Sequence, residues 1–231
     1  MYVSSVPLWF IRKDFMLPEK LYDLKGTIVQ FSSHVARMIE KSVRGLVDRD
    51  ASLLLEVLDK DEPRANTLEL DIDEFCTNLI AQYQPMARDL RTLLVIHNMN
   101  STLERMGDHS VNIARSAIDL SRIPPIKPFI DIPRMGELVR GMLADAIQAF
   151  IDENPQLAME VCRRDSIIND MRDQILRELV TFMSENPSII SGCVDILRIA
   201  ENLERIADLA TNIAEDTIFM LQGRVIRHKN G

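Results

Sequence analysis

Leu103-Glu-Arg-Met-Gly-Asp-His-Ser-Val-Asn-Ile-Ala-Arg115 returns 100 residues later as Leu203-Glu-Arg-Ile-Ala-Asp-Leu-Ala-Thr-Asn-Ile-Ala-Glu215. Seven of the thirteen positions are identical, and most other pairs are conservative, such as Met106/Ile206 and Gly107/Ala207. Around the first copy, Met99, Leu103, Met106, Ser110, Ile113, Ala117 and Leu120 recur at alternating steps of four and three. That is the seam of a helix packed in a bundle. Ile199, Leu203, Ile206, Ala210, Ile213, Thr217 and Met220 repeat it. Upstream, Leu55-Glu-Val-Leu-Asp-Lys-Asp61 lies over Met159-Glu-Val-Cys-Arg-Arg-Asp165. A period near 100 residues is too long for a solenoid repeat and reads as a duplicated three-helix unit.

Prolines mark the ends of the units. Pro18 precedes a long helical pattern to about Asp48. A second run follows from about Asp50 to Gln82, with Pro63 expected to kink or restart it, and a third from Met86 to about Arg122. Four prolines between Ile123 and Pro133 exclude a helix there and separate the halves. Three more runs follow. Asn154-Pro155 and Asn186-Pro187 read as an N-cap followed by Pro at the first helical position, and Gly223 as a stop. The expectation is an all-α fold of two tandem antiparallel three-helix bundles related by internal duplication. Its parts are an N-terminal arm (1–17), a first bundle (18–122), a proline-rich connection (123–133), a second bundle (134–223) and a tail (224–231). Composition agrees: the 231 residues include only 8 Gly and 10 Pro, with 5% aromatics.

The chain carries a formal charge of −8, which disfavours nucleic acid as a partner, since neutralising phosphates needs clustered cations. No apolar run reaches the roughly 18 residues of a membrane span, and residues 1–11 make a poor signal peptide, so a cytoplasmic location is expected. The three cysteines form no C-x-x-C, and Cys76 and Cys162 sit in apolar stretches as core residues. None of the four histidines completes a Glu-x-x-His, and there is no P-loop or nucleophile elbow, so no enzyme is expected. His109 becomes Leu209 in the second copy, so no duplicated role is expected of it, and it reads as a partly exposed histidine flanking the motif.

Glu104 and Asp108 fall on the outer side of the seam, one turn apart, and Glu204 and Asp208 do the same. Glu69 and Asp73 flank the seam of the preceding helix at the same spacing; Asn169 and Asp173 take their places in the second half. Two readings of these acids stand. Charged residues on an outer face are commonly a solvated surface, with Asp108 paired to Arg105 and Asp208 to Arg205. Alternatively, like charges carried twice at this spacing form oxygen-only sites for cations such as Mg²⁺, Mn²⁺ or Fe. Asn112 and Asn212, one turn on, are weaker candidates.

The tandem motifs, together with Gln84-Pro-Met-Ala-Arg-Asp-Leu-Arg91 at the turn between the second and third helices, resemble the PhoU family of phosphate-transport and phosphate-signalling regulators. The resemblance spans about residues 18–222. It implies a cytoplasmic, often dimeric negative regulator of the phosphate-starvation response. Such a regulator links the ATPase subunit of a phosphate ABC transporter to a sensor histidine kinase. It also implies metal ions (Fe, Zn, Mg or Mn) on Glu69, Asp73, Glu104 and Asp108 in one half and on Asp173, Glu204 and Asp208 in the other. Asn169 departs from an acid, and the Gln-Pro turn is degraded to Glu185-Asn-Pro187, so the second site is expected to be weaker. The alternative from another class is a metal-dependent phosphate-binding protein or phosphohydrolase built on the same carboxylates.

Overall fold

The computed structural model describes the backbone of residues 8–222 and the side chains of residues 16–222. Residues 1–7 of the expected arm, Gly223 and the tail lie outside the described residues. Seven α-helices follow one another without a strand among the described residues. They are α1 (Leu8–Asp48), α2 (Ala51–Glu56), α3 (Glu62–Tyr83), α4 (Ala87–Ser121), α5 (Asp131–Ile151), α6 (Pro155–Glu185) and α7 (Ile190–Gln222). Helices α1, α3 and α4 form the first three-helix unit and α5, α6 and α7 the second.

Two starts differ from the sequence expectation. Helix α1 is continuous from Leu8, so residues 8–17 are helical and Pro18 sits inside the helix. Pro18 is exposed, while Leu17, Leu21, Leu24 and Ile28 form the buried stripe. A proline on the wet side leaves its orphaned carbonyl to water, which is where a helix tolerates one. Helix α5 begins at Asp131, three residues before the expected boundary, with Pro133 in its first turn, where a missing N–H breaks no helical bond.

The second helix of the first unit is broken where Pro63 suggested. Between α2 and α3 lies a π-helical turn, Val57–Asp61, and Pro63 opens α3 at its first positions. The wider turn absorbs the residue whose N–H is missing. Each unit's second helix starts on a side-chain cap. Asp50 accepts from the N–H groups of Ser52 (2.9 Å) and Leu53 (3.3 Å), and Asn154 from those of Gln156 (3.1 Å) and Leu157 (3.2 Å). Asn186 caps the 3₁₀ turn Pro187–Ile189 before α7 in the same way.

The corner before each cap holds a non-glycine residue in the left-handed region, Arg49 (φ 52°) and Glu153 (φ 53°). Arg49 donates to the carbonyls of Ser121 and Ile123 at 2.6 Å each, tying down the C-terminal end of α4. Glu153 takes Arg88 and Lys25 (3.7 Å), which joins the second unit to the first.

The two units are not separate bodies. Buried apolar side chains from every helix form one continuous core. Helices α4 and α7 pack antiparallel: His109 meets Asn202, and Gly192 lies under Leu120. Helices α1 and α5 do the same: a Cβ at Gly136 would stand 3.1 Å from Val43, and Arg140 pairs with Glu40 at 2.9 Å. The repeated seam residues Leu103 and Leu203 are both completely buried.

Candidate functional site

Within each unit the last two helices run antiparallel and leave a groove between them. In the first, Asn100 of α4 donates its amide to the Glu69 carbonyl (2.8 Å) and reaches Asp73 Oδ1 (3.4 Å). His97 Nδ1 lies 2.8 Å from the same Asp73 oxygen. A Cβ on Gly107 would lie 3.8 Å from Ala65. This register places Ala65 beside Gly107 and Asp108, and Glu69 beside Glu104 one turn along. Burial pushes the Glu104 carboxyl above its usual range, and the negative charges of Asp108 and Glu69 push it further. The structure thus brings Glu69, Glu104 and Asp108 together, with Asp73 held on His97 at the groove's next turn.

The second groove uses a different residue. Asp208 is met by Asp165, which the sequence reading did not single out as a site residue. Burial raises the Asp165 carboxyl, with Asp208 adding to it; burial raises Asp208, with Glu204 adding to it. Two carboxyls in hydrogen-bonding contact must share a proton or a cation. Asn169 donates its amide to Asp165 Oδ2 at 3.1 Å. Asp173, expected to be the acid of this groove, instead pairs with Arg172 at 3.0 Å. It lies two turns, roughly 12 Å, beyond Asp165.

The physical reason is a shift of one turn. Across the grooves the units correspond at an offset of 100, so Asp165 occupies the place of Ala65, and Asn169 that of Glu69. In each groove one acid of the second helix faces two of the third, and in the first groove Asp73 follows one turn along. The sequence carries the same four-residue spacing one turn earlier as well, in Asp165-x-x-x-Asn169. Asn112, exposed, and Asn212, half-buried, continue the outer face one turn past Asp108 and Asp208.

Three acceptor oxygens in these grooves are buried without a hydrogen-bond donor: Asn100 Oδ1 in the first, and Asp165 Oδ1 and Asn169 Oδ1 in the second. Buried acceptors without donors, beside carboxylates that repel each other, suit an oxygen-seeking cation. Among the described residues, however, no three His, Cys, Asp or Glu side chains form a ready ligand cluster. An ion would therefore draw its ligands inward, and the exposed Asp108 and Asp208 have the freedom to move.

The remaining candidates fall away from chemistry. Cys76 is buried, and its thiol is pushed up to about 12 by burial and by Asp73. Burial, with Glu215, lifts Cys162 to about 11. Neither supplies thiolate near neutrality. His109 is half-buried, its Nδ1 2.8 Å from Asn202 Oδ1, so it bridges the units rather than flanking a site. Burial lowers its pKa, and Arg205 and Arg105 lower it further. No helix among the described residues is long and apolar enough to cross a membrane.

Comparison with known proteins agrees with this architecture. The family model described as the PhoU domain matches the chain twice, over residues 28–117 and 132–217. The phosphate-specific transport system accessory protein PhoU homolog of Aquifex aeolicus is 35% identical over 92% of this chain and 96% of its own. The crystal structure of PhoU from Pseudomonas aeruginosa superposes with a TM-score of 0.86 at 32% identity, covering 90% of this chain and 99% of that one. The phosphate transport system regulatory protein PhoU from Streptococcus pneumoniae gives 0.83 at 26% identity, covering 91% and 99%.

Proposed function

The chain belongs to the PhoU family, and from that footing we propose that it is a non-catalytic regulator of phosphate uptake and of the phosphate-starvation response. It acts in the cytoplasm as an adaptor between the ATPase subunit of a phosphate transporter and a sensor histidine kinase, and assembles as a homodimer. Its two grooves hold metal ions. Glu69, Glu104 and Asp108, with Asp73 and Asn100 at the next turn, serve the first. Asp165, Glu204 and Asp208, with Asn169, serve the second. A cation there would supply the positive charge that the grooves lack and fix the carboxylates in one arrangement for a partner to read.

The observation that carries this reading is the pairing of like-charged carboxylates beside donor-less buried oxygens, built twice from different residues. The grooves are open and offer little exclusion of water, which argues against hydrolysis there. Metal analysis of the protein beside single variants tests the assignment. Asp165→Ala and Asp208→Ala should each lower metal content by the same amount, while Asp173→Ala should leave it unchanged. A loss with Asp173→Ala but not with Asp165→Ala would return the site to the register read from the sequence. Capture of a transporter ATPase or a sensor kinase by the metal-loaded protein tests the adaptor role. Phosphatase turnover abolished by Asp108→Ala would overturn it in favour of the hydrolase reading.

A further inference from the structure

A second kind of site lies on the opposite chemistry. Between α1 and α3 opens a cavity of about 330 Å³ whose polar wall is Gln30, Ser33, His34, Arg37 and Arg64, with no carboxylate among its lining residues. We propose that this cavity binds the phosphoryl group of a small molecule, either inorganic phosphate or a phosphate monoester, between the guanidinium groups of Arg37 and Arg64.

Gln30, Ser33, His34 and Arg37 recur at steps of three, one and three, so α1 presents them along one face. Arg64 comes across from the first turn of α3. His34 Nε2 lies 2.8 Å from the Asp61 carbonyl, which can only accept, so the ring is fixed as a wall with its proton on that nitrogen. Of the acids nearest along the chain, Glu40 is taken by Arg140 at 2.9 Å and Asp61 by Lys41 at 2.8 Å, and Glu62 is not among the residues lining the cavity. Arg37 and Arg64 form no ion pair among the described residues, although the chain holds 35 acids against 27 Lys and Arg. In two other clefts the cations are matched. In the cleft between α1 and α5, Arg44 pairs with Asp48 and Arg140 with Glu40. In the cleft beside the proline-rich connection, Arg198 pairs with Asp195.

Two planar guanidinium forks around a cavity match the several acceptor oxygens of a phosphoryl group, which they can bind in bidentate fashion. The Ser33 hydroxyl, now donating to the Val29 carbonyl at 2.8 Å, and the Gln30 amide stand within the same wall for a further oxygen. The volume exceeds a bare phosphate and leaves room for a small organic substituent. The duplication sharpens the claim. At the offset of 104 that relates the helix caps, Ser33 and Arg37 become Glu137 and Gly141. The second unit therefore lacks the site, and one anion should bind per chain.

The test is calorimetric titration of chelator-treated, metal-free full-length protein with inorganic phosphate and, separately, with glycerol phosphate. One saturable site per chain is expected. It should be weakened at least about tenfold in the Arg37→Ala/Arg64→Ala pair and less in the Arg37→Lys/Arg64→Lys pair. Arg44→Ala, in the cleft between α1 and α5, should leave it unchanged. Whichever ligand binds more tightly identifies the source of the phosphoryl group. Absence of saturable binding for both, or equal binding by the double alanine variant with its helical content intact, would overturn the proposal. So would binding that appears only when metal is added, which would move the anion to the carboxylate grooves. Such a failure would leave the adaptor role standing, because that role is read by partner capture.

Discussion

The first groove places Glu69 against Glu104 and Asp108; the second reaches a comparable charge with Asp165 against Asp208 and Glu204. The acid contributed by the second helix sits one turn apart in the two copies, and a small or neutral residue fills the vacated place each time: Ala65 in one, Asn169 in the other. What the two units share is therefore the charge of the groove rather than the identity of each position. This fits a role in which a cation or partner senses the local field, since Coulombic attraction depends on distance and number of charges more than on which turn bears them.

The most forceful way to break the comparison is through the core. Leu103→Ala and Leu203→Ala remove equivalent, fully buried side chains, and each should cost about 2–5 kcal/mol. Because the units share one core, both variants should lower the midpoint of a single cooperative unfolding transition seen by calorimetry. Two separate transitions, each sensitive to one variant, would show that the units are independent after all.

A smaller effect is expected at the helix starts. Asp50→Ala and Asn154→Ala each remove a cap accepting two backbone N–H groups and should lower the midpoint of urea unfolding, with Asn154→Ala costing about 1 kcal/mol of stability. The hydrogen bonds from Ser52 and Leu53 hold the Asp50 carboxyl below its usual range, so its folded pKa lies below its unfolded one. Its contribution is present above the unfolded carboxylate pKa and lost as pH falls through the folded one. Asn154 does not titrate, so only the first unit's cap should weaken in acid.

The smallest effect belongs to the grooves themselves. Glu104, Asp165 and Asp208 are all raised when folded, so in metal-free protein their stability contribution is full below the unfolded carboxylate pKa and is lost as pH rises through the folded values. Asp165→Asn should therefore stabilise metal-free protein near neutrality, by roughly 1 kcal/mol or less. The gain should vanish below about pH 4. Added Mn²⁺ or Mg²⁺ should reverse the sign by stabilising the parent more than the variant. Stabilisation of the variant that persists with metal present would remove the cation from the second groove.

Much of this molecule could be read along the chain. The seam through Leu103 and Leu203, the caps Asn154 and Asn186, the break at Pro63 and the interruption after Arg122 all depend on neighbours three or four residues away. The continuation of the helix upstream of Pro18 could not be read, because a proline is disruptive only where its lost bond is buried, and burial is a tertiary property. Asp165 escaped for a different reason: at the offset of 100 that relates the grooves its counterpart is Ala65, so the first copy carries no acid there to point to it. The caps correspond at an offset of 104, so the first unit carries four more residues, about one turn, between cap and groove, where the π-helical turn lies.

Helical periodicity and duplication were settled by local order, since 3.6-residue repetition and proline geometry act within a turn or two. The choice of which carboxylates face each other, and the merging of two similar units around one core, came from antiparallel packing between distant segments. Those contacts are set by how whole helix faces fit together, and the spacing of residues along either strand of the comparison carries no record of that fit.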